Sequence, residues 1–352
     1  MKLSGGTTFR IAFGASVVAA TLSVAPASYA QDRYAAIVMN ARSGEVLLED
    51  QADEARFPAS LTKMMTLYMM FESLERGDIT LDTPITASRR AAGQPPSRLG
   101  LRRGDVITVE QAIRALVVQS ANDVAVAVAE RLGGTEGRFA ANMTARAREL
   151  GMTDTRFVNP NGLPNPLQRT TARDMARLSQ AIWQDFPEYY HYFQTPNNSY
   201  RNRTGRNHNR LLGQVDGVDG IKTGYTRASG FNLASMAERE GQRVIVVVMG
   251  GETASARDAQ VAYLIEGAFE EYARRMDPNA VTYANMPTNR LDVQLAPNAL
   301  GGGVTTRASS VPGAPSSPYS TYQSMVVETL SPVRGGEPPV GQGDEHSTDE
   351  GE

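Results

Sequence analysis

No cysteine occurs among the 352 residues, which excludes disulfides, thiolate nucleophiles, zinc-cysteine sites and iron-sulfur clusters together. Histidine is almost missing as well. His191, His208 and His346 are too far apart for short metal-ligand spacings such as H-E-x-x-H, so neither a metal nor another cofactor is expected. No charge of either sign dominates: 35 basic residues stand against 38 acidic ones, a net charge of −3 without the electrostatic footprint of a nucleic-acid binder. Internal repeats are not evident. The scarcity that matters most is lysine. Only Lys2, Lys63 and Lys222 occur, and arginine supplies the other 32 of the 35 bases. Arginine therefore serves wherever positive charge suffices, and each lysine calls for a reason.

A chain of this length suits one large domain or two ordinary ones. Residues 1–30 place Lys2 and Arg10 before an apolar stretch from Ile11 to Val24 and end in Ser28-Tyr29-Ala30, the pattern of a cleavable signal peptide with Gln31 as the mature start. The apolar run is short of the roughly 20 residues that span a bilayer. Export of a chain without cysteine fits a bacterial periplasm.

Further on, Ala35 to Met39 and Val46 to Leu48 read as a strand hairpin closed by Ala41-Arg-Ser-Gly44. Apolar side chains at Leu61, Met64, Met65, Tyr68 and Met69 follow a helical period and predict a buried helix from Ser60 to Glu75, ended at Gly77. Thr108-Val-Glu-Gln111 has the form of a capping box and opens a helix through Val118. A second helix from Asp123 to Leu132 leaves Ser120-Ala-Asn122 in the break, with Asn122 a suitable N-cap. Residues 136–150 and 171–185 are further helices. Strands follow at Val218 to Thr223, Phe231 to Ala237 and Val244 to Met249, then a helix from about Ala254 to Arg275. This order predicts an α+β domain over 31–276, an antiparallel sheet built from both chain ends and covered by helices. Residues 277–352 read as a disordered tail. Its stretch from 300 to 343 holds 8 Gly, 6 Pro and 7 Ser, and Asp344 to Glu352 carries five acids and no base.

Three short patterns carry chemistry. Ser60-Leu-Thr-Lys63 sets a hydroxyl at a helix start and an amine three residues on, a turn apart on one face. Lysine can be a general base for serine when burial or a neighbouring cation makes it neutral, whereas arginine cannot lose its proton. Lys222-Thr-Gly224 ends a strand, followed by Tyr225; its glycine admits close approach to the backbone, and its lysine can hold a carboxylate or repel charge from Lys63. Ser120-Ala-Asn122 adds a hydroxyl able to relay a proton and an amide able to hold a carbonyl. Both lysines of the mature chain fall in these patterns, which random placement among its basic sites would do about once in 500.

S-x-x-K, S-x-N and K-T-G in this order resemble the signature of penicillin-binding proteins and class A β-lactamases. Within that group the chain is similar to the low-molecular-weight D-alanyl-D-alanine carboxypeptidases. Phe57 to Lys63, Phe157 to Leu163, Thr171 to Asp174 and Val218 to Gly224 carry the likeness, which covers about residues 33 to 275. The resemblance implies a β-lactamase/transpeptidase-like fold, with Ser60 acylated, Lys63 its base, and Ser120 and Lys222 relaying a proton to departing D-alanine. It further implies that Asn122 orients the substrate amide, Thr223 binds the terminal carboxylate, and the N–H groups of Ser60 and Tyr225 form the oxyanion hole. The expected partners are peptidoglycan stem peptides ending in D-Ala-D-Ala and β-lactam antibiotics. Where many relatives have an arginine before K-T-G, this chain offers His208 or Arg210.

The tail has neither a strand pattern nor a basic amphipathic face, so nothing there supports a membrane anchor. A class A β-lactamase is disfavoured because no glutamate stands in an E-x-x-L-N setting. An endopeptidase that cuts peptidoglycan cross-links shares the same motifs. A catalytically silent muropeptide-binding protein is the alternative of another class, and it would not need its lysines at these two places.

Overall fold

A computed structural model of the protein describes residues 33–276. The expected signal peptide and the expected tail lie outside the described residues. In chain order the elements are β1 (Ala35–Asn40), β2 (Val46–Asp50), α1 (Thr62–Glu75), β3 (Pro84–Thr86), α2 (Arg89–Ala92), β4 (Val106–Thr108), α3 (Val109–Val118), α4 (Asn122–Gly133), α5 (Glu136–Glu149) and α6 (Ala172–Asp185). Then follow α7 (Pro187–Tyr190), β5 (Asn197–Tyr200), β6 (Arg203–Arg206), β7 (Val218–Thr226), β8 (Gly230–Arg239), β9 (Gln242–Gly251) and α8 (Ala254–Met276).

One five-stranded sheet, ordered β2-β1-β9-β8-β7 with every pair antiparallel, joins the first strands to the last ones. The composition of β9 explains how it is covered. Ile245, Val247 and Met249 point to one face with Ile37 and Met236, into a core shared with the helical elements. Val244, Val246 and Val248 point to the other face and pack with Val261, Leu264 and Ile265 of α8. Alternating side chains on a strand buried on both faces must all be apolar, so β9 reads as an unbroken run rather than as an alternation.

Helix α1 runs through the larger core, and ten of its fourteen residues are buried. A helix enclosed on all sides is apolar all round, which makes Lys63, wholly buried within it, stand out. The capping box at α3 is present: the Thr108 side chain accepts from the Gln111 N–H at 3.2 Å, and the Thr108 N–H donates to Gln111 Oε1 at 3.0 Å. The cap of α4 differs from expectation. Ala121 holds the N-cap position and Asn122 is the first helical residue, which releases its side chain for contacts inside the protein. The two-stranded pair β3–β4 and the hairpin β5–β6 have no counterpart in the predicted elements.

Candidate active site

Ser60 stands in a short 3-10 turn, Ala59–Leu61, that leads directly into α1. Orphan backbone N–H groups collect at such a start and favour negative charge. The turn is strained and tightly packed. Ala59 has φ +48°, in the left-handed region that alanine rarely adopts. Three neighbours hold it there. Gly162 lies so close that a Cβ would overlap the Ala59 carbonyl, and a Cβ on Gly224 of β7 would come within 3.0 Å of Pro58 O and Ser60 N. The approach expected at Gly224 is thus made by the chain's own backbone. The third neighbour is Asn232 of β8, fully buried, whose Nδ2 donates to Phe57 O at 3.0 Å and Pro58 O at 3.2 Å.

Asn232 lies where the pairing of β8 with β9 shifts register, a place where ladder groups lose their strand partners. Its Oδ1 accepts from the Gly250 N–H at 2.9 Å, and its own carbonyl accepts from Arg257 Nη1 at 2.6 Å. The irregularity is therefore satisfied by the same amide that holds the serine turn.

Lys63 Nζ is surrounded by oxygen. It lies 3.1 Å from Ser60 Oγ and 2.8 Å from Asn122 Oδ1, and it donates to the Asn161 carbonyl. Asn122 is oriented by Nδ2 donating to Pro95 O at 2.9 Å, and Asn161 by Nδ2 donating to Gln94 Oε1 at 3.0 Å. Burial and then the charge of Lys222 push the Lys63 pKa well below its usual value, against a smaller opposing pull from Asp123. A neutral amine has two N–H groups and one lone pair. Asn122 and Asn161 take the two donors, which leaves the lone pair for the Ser60 hydroxyl.

Lys222 is also buried, with Nζ donating to Thr223 O at 2.8 Å. Burial and then the Arg257 charge bring its pKa down to about 7. Arg257 is itself buried on α8 and paired with Asp258, its Nη2 lying 2.7 Å from Oδ1. Ser120 takes φ +54°, and its Oγ is buried without a hydrogen-bond partner among the described residues. Thr223 is buried, whereas Tyr225 is 55% exposed and stacks on Phe231 with ring centres 4.2 Å apart. Partial burial and then the charges of Lys222 and Lys63 hold His208 down to about pKa 4, so it is neutral at pH 7. Arg210 acts electrostatically on the Arg257–Asp258 pair instead. Among the described residues no cluster of three or more His, Asp or Glu side chains could hold a metal, and no helix is long and apolar enough to cross a membrane.

Sequence reasoning missed Asn161 as a lysine partner, Asn232 as the holder of the serine turn, and Arg257. An asparagine inside the apolar run of β8 was a readable signal for Asn232. Arg257 had none among 32 arginines.

A family model described as D-alanyl-D-alanine carboxypeptidase, peptidase S11, matches residues 21–253. The chain is 33% identical over 248 residues to D-alanyl-D-alanine carboxypeptidase DacF of Bacillus subtilis, covering 69% of this chain and 64% of that protein. It is similar to the crystal structure of penicillin binding protein 5 from Haemophilus influenzae, with TM-score 0.65 and 33% identity over 67% of this chain and 70% of that one. A Listeria monocytogenes penicillin-binding protein in its cefotaxime-bound form gives TM-score 0.61 and 31% identity, over 67% of this chain and 96% of that one. The chain thus spans just under two thirds of the Bacillus relative's length.

Proposed function

The chain belongs to the D-alanyl-D-alanine carboxypeptidase family of serine peptidases, and from that premise we propose that it removes the terminal D-alanine from peptidoglycan stem peptides in the periplasm. The single observation that carries this reading is the setting of Lys63 Nζ, 3.1 Å from Ser60 Oγ with its other contacts on two fixed oxygens. That arrangement suits a base for one hydroxyl.

In the proposed reaction Ser60 Oγ attacks the carbonyl carbon of the last peptide bond while its proton passes to Lys63. The N–H groups of Ser60 and Tyr225 stabilise the oxyanion. Thr223 receives the terminal carboxylate, and Asn122 orients the substrate amide. As the tetrahedral intermediate collapses, the C–N bond breaks and the proton reaches the departing amine through Ser120 and Lys222. Water then hydrolyses the ester on Ser60, with Lys63 again accepting a proton. A β-lactam carbonyl would acylate the same serine, in keeping with the cefotaxime-bound relative.

The test is to incubate the purified protein with a synthetic pentapeptide ending in D-Ala-D-Ala and to weigh the product. Loss of a single alanine is expected. An intact pentapeptide beside cleavage of cross-linked dimers would assign the protein to endopeptidases instead.

A further inference from the structure

Outside the lysine centre, charge is most unevenly spread in two segments beside it. Residues 93–108 and 195–210 together hold seven arginines and a single acid, Asp105, whereas the rest of the chain has 28 basic residues against 37 acidic ones. Both segments are fastened to Ser120-Ala-Asn122 and its neighbours. On one side the Asn122 N–H donates to Ser97 O at 2.8 Å and the Asn122 side chain to Pro95 O. Next to it, the buried Asp123 carboxylate receives the N–H groups of Leu99, Gly100 and Leu101 at 2.9, 2.8 and 2.9 Å. On the other side Gln119 Nε2 donates to Asn198 O at 3.1 Å, and Asn198 Nδ2 returns a bond to Gln119 Oε1 at 2.7 Å. Gly205 lacks a Cβ that would come 2.5 Å from Gln119 Cγ, so the β5–β6 hairpin lies directly on that residue.

The two segments also meet each other. Arg201 pairs with Asp105 at 2.7 Å, and the Arg203 guanidinium lies 3.9 Å from where a Cβ on Gly100 would stand. The result is a rim bearing Arg98, Arg102, Arg103, Arg201, Arg203 and Arg206, all exposed. Only Arg201 has a carboxylate; the others make no salt bridge among the described residues. Like charges on adjoining loops repel one another and raise the local concentration of anions. Arginine also presents a planar fork that fits a carboxylate with two parallel hydrogen bonds. Five guanidinium groups without a salt bridge among the described residues, held by a scaffold rooted in the residues flanking Ser120, are arranged for a ligand that reaches the reaction centre.

We propose that this rim binds carboxylates carried by the peptide substrate on the N-terminal side of its D-Ala-D-Ala end, and so selects acidic peptides over neutral ones of the same length. This rests on the carboxypeptidase reading above.

The experiment compares two peptides with the same D-Ala-D-Ala end, one with free side-chain carboxylates upstream and one with those groups amidated, for the wild type and for the triple variant R103E/R203E/R206E. Labelling by a fluorescent penicillin reports that each protein is folded with Ser60 reactive. The wild type should favour the acidic peptide by about tenfold in kcat/KM at low ionic strength, mainly through KM, with the preference shrinking as salt is added. In the variant the preference should vanish or invert. Equal ratios in the two proteins would overturn the rim proposal while leaving the carboxypeptidase reading intact. A wild type that takes up penicillin but cuts neither peptide contradicts the carboxypeptidase reading, and the rim's role with it. Co-sedimentation with anionic phospholipid vesicles, coupled to no selectivity between the peptides, would assign the rim to a membrane surface and overturn the proposal as well.

Discussion

The two buried lysines come from opposite parts of the fold and are treated differently by it. Lys63, in the central helix, has every hydrogen-bonding direction of a neutral amine engaged, by Ser60, Asn122 and Asn161. The Lys222 side chain, on the outer strand β7, makes one hydrogen bond among the described residues, to the neighbouring Thr223 carbonyl. Charge links them in sequence. Arg257, which keeps its proton at any working pH, repels Lys222, and Lys222 repels Lys63. A permanent cation at the far end thus eases deprotonation of each lysine in turn. The contrast fits the proposed reaction, in which the helix lysine accepts the proton and the strand lysine keeps directions open for substrate.

Replacing each lysine by arginine breaks this comparison most sharply. Lys63→Arg keeps the charge but loses the lone pair, and losing a general base costs about 10²- to 10⁴-fold. The second-order rate of acylation by a β-lactam should fall by that amount. Lys222→Arg should lose only roughly tenfold, the equivalent of one weakened hydrogen bond, because a cation remains beside the substrate position. The same stopped-flow assay ranks the two variants, and equal losses would remove the distinction.

A stability measurement sharpens it further. The folded-state pKa of Lys222, about 7, lies below the ordinary value of 10.5. Between these values the unfolded chain binds more protons than the folded one, so the lysine's cost to stability is full below pH 7 and fades as pH rises toward 10.5. Lys222→Met should therefore raise Tm by roughly 5 °C at pH 6 while acylation collapses, and the gain should shrink by pH 10. Calorimetry at both pH values checks the sign. Away from the lysines, Thr108→Ala removes the α3 cap at a cost of about 1 kcal/mol, and it should leave acylation by the β-lactam near the wild-type rate. Urea titration beside that rate separates the two effects.

How much of this was readable beforehand follows physical lines. The sheet, its antiparallel order and helices α1, α3, α4, α5, α6 and α8 announce themselves through apolar period and caps, because one side of each element must be buried. The β5–β6 hairpin was unreadable, since Asn197-Asn-Ser-Tyr200 and Arg203-Thr-Gly-Arg206 have turn-forming and charged residues where strands show alternation. Residues Ser60, Lys63 and Asn122 come together as the motifs implied, and Lys222 lies close enough to depress Lys63. What spacing could not reveal is which backbone oxygen completes the Lys63 shell, or that Asn232 holds the turn before Ser60. Both depend on segments about 100 and 170 residues away that only the fold brings near. The N-cap expected at Asn122 failed for a related reason. A local rule favoured capping, and a tertiary contact to Lys63 drew the amide inward instead.

The protonation state of Lys63 can be read directly, because lysine is so rare in this chain. Labelling the mature chain with lysine enriched in 13C at Cε yields two signals, assigned with the arginine variants and followed by NMR from pH 5 to 11. Lys222 should titrate near 7 and Lys63 well below 10.5, with the neutral-amine shift at pH 7.5 that a base for Ser60 requires. A Lys63 signal that keeps the ammonium shift until pH 10 would contradict its role as the base for Ser60.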